Sequence, residues 1–216
     1  HAMKKIWFFI GITGLILLAL VILYFQSSTS QQISIVQTST PPEQRDTITK
    51  SSSIIAPVAE FQQRITKKPF GIFITPKSSP VQPERFTGYH TGVDVEYGDV
   101  QGDVIVSAIA DGTVVLSKRA TGYGGVIAIE HTISDKRIIA IYGHLDPKSL
   151  PTVGTSVKMG NKIGILGDGE TQETDGERKH LHFGLSISLG VDIRGYVQQK
   201  EELAGWLNPV EVLGFE

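Results

Sequence analysis

The chain of 216 residues contains no cysteine. That excludes a disulfide scaffold, a thiolate-ligated zinc site and a thiol nucleophile, and it leaves the redox compartment open. A basic excess is missing too: 20 Lys and Arg face 22 Asp and Glu, for a formal net charge of −2. Without an electropositive surplus there is no footprint for nucleic acid, and no nucleic-acid partner is expected. The pattern H-E-x-x-H does not occur, so the glutamate-base scheme of helical zinc proteases does not apply. No internal repeat of a solenoid or propeller is evident. Long apolar runs are absent with one exception, which accounts for a mean hydropathy of +0.02.

The exception is Ile6 to Phe25, twenty residues without a charge, fourteen of them Ile, Leu, Val or Phe. As a helix it would be roughly 30 Å long, the thickness of a hydrocarbon core, and its side chains would favour insertion by about 4–8 kcal/mol. Trp7 and Tyr24 stand near its ends, where amphipathic rings prefer the interface. A cleaved signal peptide would have a shorter apolar stretch, about 7–15 residues, ending in small residues. This run ends in Leu23-Tyr24-Phe25-Gln26, so an uncleaved anchor is expected. Lys4 and Lys5 precede it, which keeps residues 1–5 cytoplasmic and places the rest outside a single-pass cytoplasmic-membrane anchor. The chain beyond those lysines has 18 basic against 22 acidic side chains, a net −4.

Residues 26–66 are rich in Ser, Thr, Gln and Pro and show no sustained periodicity. They read as a flexible linker, with an r.m.s. span of roughly 35 Å. From residue 67 to 216 short apolar runs alternate with Gly, Asp and Asn. Val104–Ala108 and Thr113–Ser117 flank Asp111-Gly112 and read as a hairpin, as do Val126–His131 and Arg137–Leu145 about Ser134-Asp135. Val157–Ile165 and His180–Ser188 add strands, and Gln198–Leu207 can hold one short helix. Turn signals every 8–12 residues or so point to an all-β sandwich or barrel, and about 150 residues suffice for one core.

Five of the six histidines fall in this region: His90, His131, His144, His180 and His182. On the strand His180–Ser188, alternation puts Leu181, Phe183, Leu185 and Ile187 on a core face and His180, His182, Gly184 and Ser186 on the other. Packing explains two adjacent imidazoles on a non-core face poorly, although a solvated polar face would accommodate them. His90 and Asp94, four apart around Gly92, can converge on one ion through a bend. His144 closes the run Arg137–Leu145, where alternation groups it with Ile138, Ala140 and Tyr142. His131 reads as structural. His90, Asp94 and one histidine of the H-x-H pair make a three-ligand set for a catalytic zinc with a fourth position for water. The other histidine of the pair and His144 are then free for the reaction.

In the stretches His90-Thr-Gly-Val-Asp94, Tyr142-Gly-His144-Leu and His180-Leu-His182-Phe, the chain resembles the lysostaphin-type (LytM-like) zinc metalloendopeptidases, which cleave peptides of bacterial peptidoglycan. The spacers Ala108–Val114 and Val157–Gly167 and the segment Trp206-Leu-Asn-Pro209 add to the likeness, which runs from about Thr87 to Leu213. The resemblance implies an antiparallel β-sandwich or barrel-like catalytic domain, one zinc ion per chain held by His90, Asp94 and His182, and His144 and His180 as catalytic histidines. It implies peptidoglycan stem peptides or cross-bridges as substrate. The charged stretch between Gly167 and His180 is longer than the family's usual turn and is expected to shape or cover the groove. The rival reading is a catalytically silent or autoinhibited domain of the same fold, acting as an activator or wall-binding module; no regulatory partner is legible.

Overall fold

The computed structural model describes residues 54–215. The expected anchor, Ile6–Phe25, lies outside them. Among the described residues no helix is long and apolar enough to cross a membrane. Twelve short strands dominate: β1 (Phe73–Ile74), β2 (Gly88–His90), β3 (Gly92–Glu96), β4 (Ile105–Ser107), β5 (Gly112–Ala120), β6 (Gly124–Ile133), β7 (Lys136–Leu145), β8 (Ser156–Val157), β9 (Lys162–Ile165), β10 (His180–Ser186), β11 (Tyr196–Val197) and β12 (Trp206–Leu207). The one α-helix among the described residues, α1, is the single turn Pro209–Val212, capped by the Asn208 side chain. The domain is all-β and every paired strand is antiparallel.

The main sheet runs β12-β10-β7-β6-β5-β8, with β3 sharing the β12 edge of β10. Two small sheets, β1-β2-β11 and β4-β9, complete the fold. One face of the main sheet packs Leu181, Phe183, Leu185, Tyr142, Ala140, Ile127 and Ile129 with Val106 and Ile163 of the β4-β9 sheet. A smaller cluster on its other face joins Val126, Ala128, Ile139 and Ile141 to Tyr123 and Trp206. The β6–β7 hairpin forms as expected, with Ser134 and Asp135 both left-handed (φ 49° and 60°), the paired geometry of a type I′ turn.

Three expectations change. Val104–Ala108 does not form a hairpin with Thr113–Ser117: β4 pairs with β9, while β5 pairs with β6 and β8. The residues between, Ala108, Ile109 and Ala110, are buried, so they carry the chain through the core rather than around an exposed turn. The strand expected to reach Ser188 ends at Ser186, and Ile187 is largely exposed. The linker expected over 26–66 is interrupted. Residues 26–53 lie outside the described residues, but 54–66 pack on the domain: Ile55 N–H donates to Ile109 O (3.0 Å), Ser107 N–H to Pro57 O (2.8 Å), and Val58 and Phe61 are buried. The apolar run Ile54–Val58 and Phe61 offer the core more than a solvated tether would.

Candidate metal centre and catalytic pocket

The site is assembled by strand register. β10 lies between β3 and β7, and His182 stands opposite Asp94 on one side and Gly143 on the other. Such directly opposed side chains approach to contact distance. Gly92 permits this approach of β3 to β10, because a Cβ there would lie 2.4 Å from the Phe183 carbonyl oxygen. Its role is close packing rather than the bend expected from sequence. The chain breaks at Thr91 between two sheets, which returns His90, at the end of β2, to Asp94 four residues on.

The result is a triangle of buried ligand atoms. His90 Nε2 and His182 Nδ1 are 3.0 Å apart, and each is 3.2 Å from Asp94 Oδ1. Ligands about 2.0–2.1 Å from a tetrahedral zinc stand roughly 3.3 Å from one another, close to this spacing. His90 Nδ1 faces the Pro69 carbonyl at 3.2 Å. Donating its proton there leaves the Nε2 lone pair in the triangle, the outer-shell arrangement typical of metal-bound imidazole. Tyr196 stacks on His90 (centroids 5.1 Å, 28°) and Phe86 stacks on Tyr196 (5.5 Å, 18°). Behind them the buried Lys68 ammonium bonds Glu84 Oε2 (2.6 Å) and Tyr196 Oη (3.1 Å).

His180 and His144 stand beside the triangle. His180 Nε2 is 3.5 Å from Asp94 Oδ2, and the two imidazoles are 4.2 Å apart by centroid. Each has its other nitrogen on a backbone carbonyl: His180 Nδ1 on Arg178 O (2.8 Å) and His144 Nδ1 on Thr174 O (3.3 Å). Both therefore present an Nε2 lone pair to the pocket. The face carrying His180 and His182 is not solvated, since every residue of β10 is buried.

His144 departs from simple alternation. Gly125 pairs with Leu145 and Val126 with Gly143, so His144 is the extra residue of a bulge, with φ of 63°. Leu145 takes the place beside Tyr142 in the core, and His144 turns to the face of His180 and His182. A histidine held in the left-handed region is uncommon, and such residues concentrate at functional sites. His131 lies elsewhere, with Nδ1 on the Asp111 carbonyl (3.0 Å).

Burial drives the electrostatics. It pushes the His144 imidazole down to about 3 and that of His180 well below its ordinary value, against the attraction of Asp94. His182 is lowered for the same reason. Burial opposes ionisation of Asp94, yet His180 and His90 together hold its carboxyl well below the usual range. Arg178 contributes geometry as well as charge: its Nη2 bonds Asp94 Oδ2 (2.8 Å) and Glu96 Oε1 (2.7 Å), and its Nε lies 2.9 Å from Glu96 Oε2. The second carboxylate oxygen of Asp94 is thereby committed, and Oδ1 is left to the triangle.

A cavity of about 350 Å³ opens over this cluster. Thr121, Gly122 and Tyr123 line it together with Ile193, Gly195, Tyr196 and Phe86. The charged stretch before His180 forms wall and support. Thr174 within it is fully buried and supplies the carbonyl that orients His144, while Arg85 ties Asp175 and Glu177 across to the opposite loop. Sequence reading passed over Arg178, Thr174, Lys68, Tyr196 and Tyr123. The i, i+2 step back from His180 is a signal for Arg178, which continues the face of the H-x-H pair. The others, Thr174 in the turn before His180, Lys68 and Tyr123 outside the strands, and Tyr196 on β11, carry no local mark.

An antiparallel β domain with a buried His-Asp-His triangle and two carbonyl-oriented imidazoles defines a metallopeptidase-like architecture. Residues 88–194 match peptidase family M23, and the domain belongs to that family, the lysostaphin-type group its motifs resemble. The murein hydrolase activator EnvC of Escherichia coli (strain K12) is 39% identical over 62 residues, which span 29% of this chain and 14% of that protein's length. Among solved structures, LytU is 25% identical with a TM-score of 0.47, covering 69% of this chain and 83% of that one. A chain of the SpoIIQ-SpoIIIAH pore-forming complex is 19% identical with a TM-score of 0.50, over 76% of this chain and 93% of that one.

Proposed function

We propose that the domain is a zinc-dependent endopeptidase that hydrolyses peptide bonds in bacterial peptidoglycan, held outside the cytoplasmic membrane by the apolar segment Ile6–Phe25. The observation that carries the catalytic reading is the triangle of His90 Nε2, Asp94 Oδ1 and His182 Nδ1, with edges of 3.0–3.2 Å beside two uncommitted imidazole lone pairs. Two neutral nitrogens and one carboxylate oxygen, without thiolate, suit zinc with an open position. Bound there, zinc would supply Lewis acidity, making water more acidic and a carbonyl more electrophilic.

The protein groups do the rest. The Nε2 of one of His144 and His180 takes a proton as water adds to the carbonyl carbon, and the Nε2 of the other accepts a hydrogen bond that orients the water. The new C–O bond forms, the C–N bond breaks, and the proton passes to the leaving amine. Both imidazoles are neutral near pH 7, because burial disfavours their charged form, so the accepting state needs no prior deprotonation. Low exposure limits competing water around the reacting groups.

The likeness to a murein hydrolase activator favours a second reading, a domain that acts on a partner hydrolase rather than on the wall. The test uses the full chain and its variants with purified peptidoglycan. Zinc content by elemental analysis and released amino groups are measured together. His182→Ala and Asp94→Ala should lose both metal and activity. His144→Ala and His180→Ala should keep about one zinc per chain and lose activity. Metal-loaded wild type that releases no amino groups would sink the endopeptidase reading in favour of the activator. A His180→Ala protein without zinc would overturn the ligand assignment.

A further inference from the structure

Among the described residues four buried side-chain polar atoms lack a partner: Tyr123 Oη, Arg178 Nη1, His182 Nε2 and His131 Nε2. The first three belong to residues that line the one cavity over the triangle. Native proteins keep few such orphans, since each forfeits its bonds to water. A concentration at one cavity marks donors waiting for a ligand. Arg178 and His182 have other nitrogens committed, whereas the hydroxyl is the only polar side-chain atom of Tyr123.

The ring of Tyr123 is held firmly. It packs against His182 (centroids 5.5 Å, 61°) and His144 (5.4 Å, 47°), between a candidate metal ligand and a candidate proton carrier. Two glycines from separate segments make its seat. A Cβ on Gly143 would come within 2.4 Å of the ring, and a Cβ on Gly195 would stand 3.0 Å from Oη and 3.6 Å from His182 Cε1. The space Gly195 leaves empty therefore adjoins both the phenol oxygen and the His182 ring. The residue is 8% exposed and lines the cavity over the triangle.

We propose that the Tyr123 hydroxyl donates a hydrogen bond to the carbonyl oxygen of the scissile peptide and holds it as it becomes the tetrahedral oxyanion, a catalytic role that rests on the endopeptidase reading above. No proton leaves the phenol in this role. The bond strengthens as charge develops on the acceptor, so the group acts on turnover more than on binding. It also accounts for an unsatisfied hydroxyl in the free protein: the loss there is recovered when substrate arrives.

The test compares the full wild-type chain with Tyr123→Phe on the soluble muropeptide that wild type cuts fastest, with zinc content and thermal unfolding of the metal-free proteins measured alongside. The expected result is a fall in kcat of about 100-fold, KM within about threefold, zinc content unchanged, and a Tm equal to or a few degrees above wild type, because an orphaned hydroxyl has been removed. A merely structural tyrosine would lower Tm and leave kcat. Wild-type hydrolysis with an unchanged kcat in Tyr123→Phe, or a rise in KM alone, overturns the role of Tyr123. Absence of hydrolysis by metal-loaded wild type instead refutes the endopeptidase reading beneath it, and the assignment falls with it.

Discussion

Replacing Lys68 with methionine tests how the pocket wall is held. The ammonium meets Glu84 Oε2 at 2.6 Å, and both side chains are 2% exposed. Methionine keeps most of the stem's volume and removes the charge, so Glu84 is left as a buried carboxylate without its counter-ion. Breaking one partner of a buried pair costs about 3–5 kcal/mol. Glu84 retains three donors, Ser79 Oγ (2.9 Å), Arg85 N (2.9 Å) and Phe86 N (2.8 Å), which places the expectation at the lower end, about 3 kcal/mol. For a domain of this size that is a fall in Tm of roughly 6–12 °C. The sign of the pH dependence follows. Burial opposes the charged form of Glu84, but with Lys68 present its carboxyl lies below 4.5, so the pair's stabilisation is present above that pH and is lost as pH falls through the lowered folded value. In the variant burial is opposed only by the remaining hydrogen bonds, so the carboxyl rises relative to wild type and the gap should narrow toward pH 4.5. Thermal unfolding at pH 7 and 4.5, with Lys68→Met/Glu84→Gln completing a double-mutant cycle, reads all of this. Because Lys68 also bonds the Tyr196 hydroxyl, and Tyr196 stacks on His90, zinc affinity should fall by about 10–100-fold. A single variant less than 2 °C below wild type, or a double variant as unstable as the two singles added, would refute the reasoning.

Two further outcomes test other parts of the molecule. Since burial holds the His144 imidazole near 3 in the fold, against about 6.5 when unfolded, its contribution is complete above pH 6.5 and drains away as pH falls toward 3. The metal-free domain should therefore lose about 2 kcal/mol by pH 5 from this group alone, and a Tm that stays flat between pH 7 and 5 would contradict the buried, neutral state. Phe61 packs edge-on against Phe183 (5.8 Å, 86°) and stacks on Phe215 (5.9 Å, 29°); Phe61→Ala should cost about 3–5 kcal/mol in chemical denaturation, whereas a near-zero cost would return residues 54–66 to the tether.

The local chemistry of this protein was legible in its residues. Antiparallel β structure followed from turn signals around short apolar runs, and the β6–β7 hairpin from a turn dipeptide able to adopt left-handed angles. The H-x-H pair declared a shared strand face, because a period of two is a property of the backbone alone. His90 and Asp94 were recognisable as one unit, since four residues around a break can meet without help from the rest of the chain.

What tertiary structure decided was every relation that depends on register between distant segments. Only the pairing of β10 with both β3 and β7 sets His182 opposite Asp94 and Gly143, and register is fixed by packing of whole faces rather than by any local signal. The bulge at His144 inverts the facing that alternation assigns, because an extra residue in one strand shifts each later side chain to the other face. The carbonyls of Thr174 and Arg178 that orient two imidazoles, and the two glycines that seat Tyr123, carry no mark in sequence: a backbone oxygen belongs to every residue, and the absence of a Cβ matters only where another chain segment comes to lie against it.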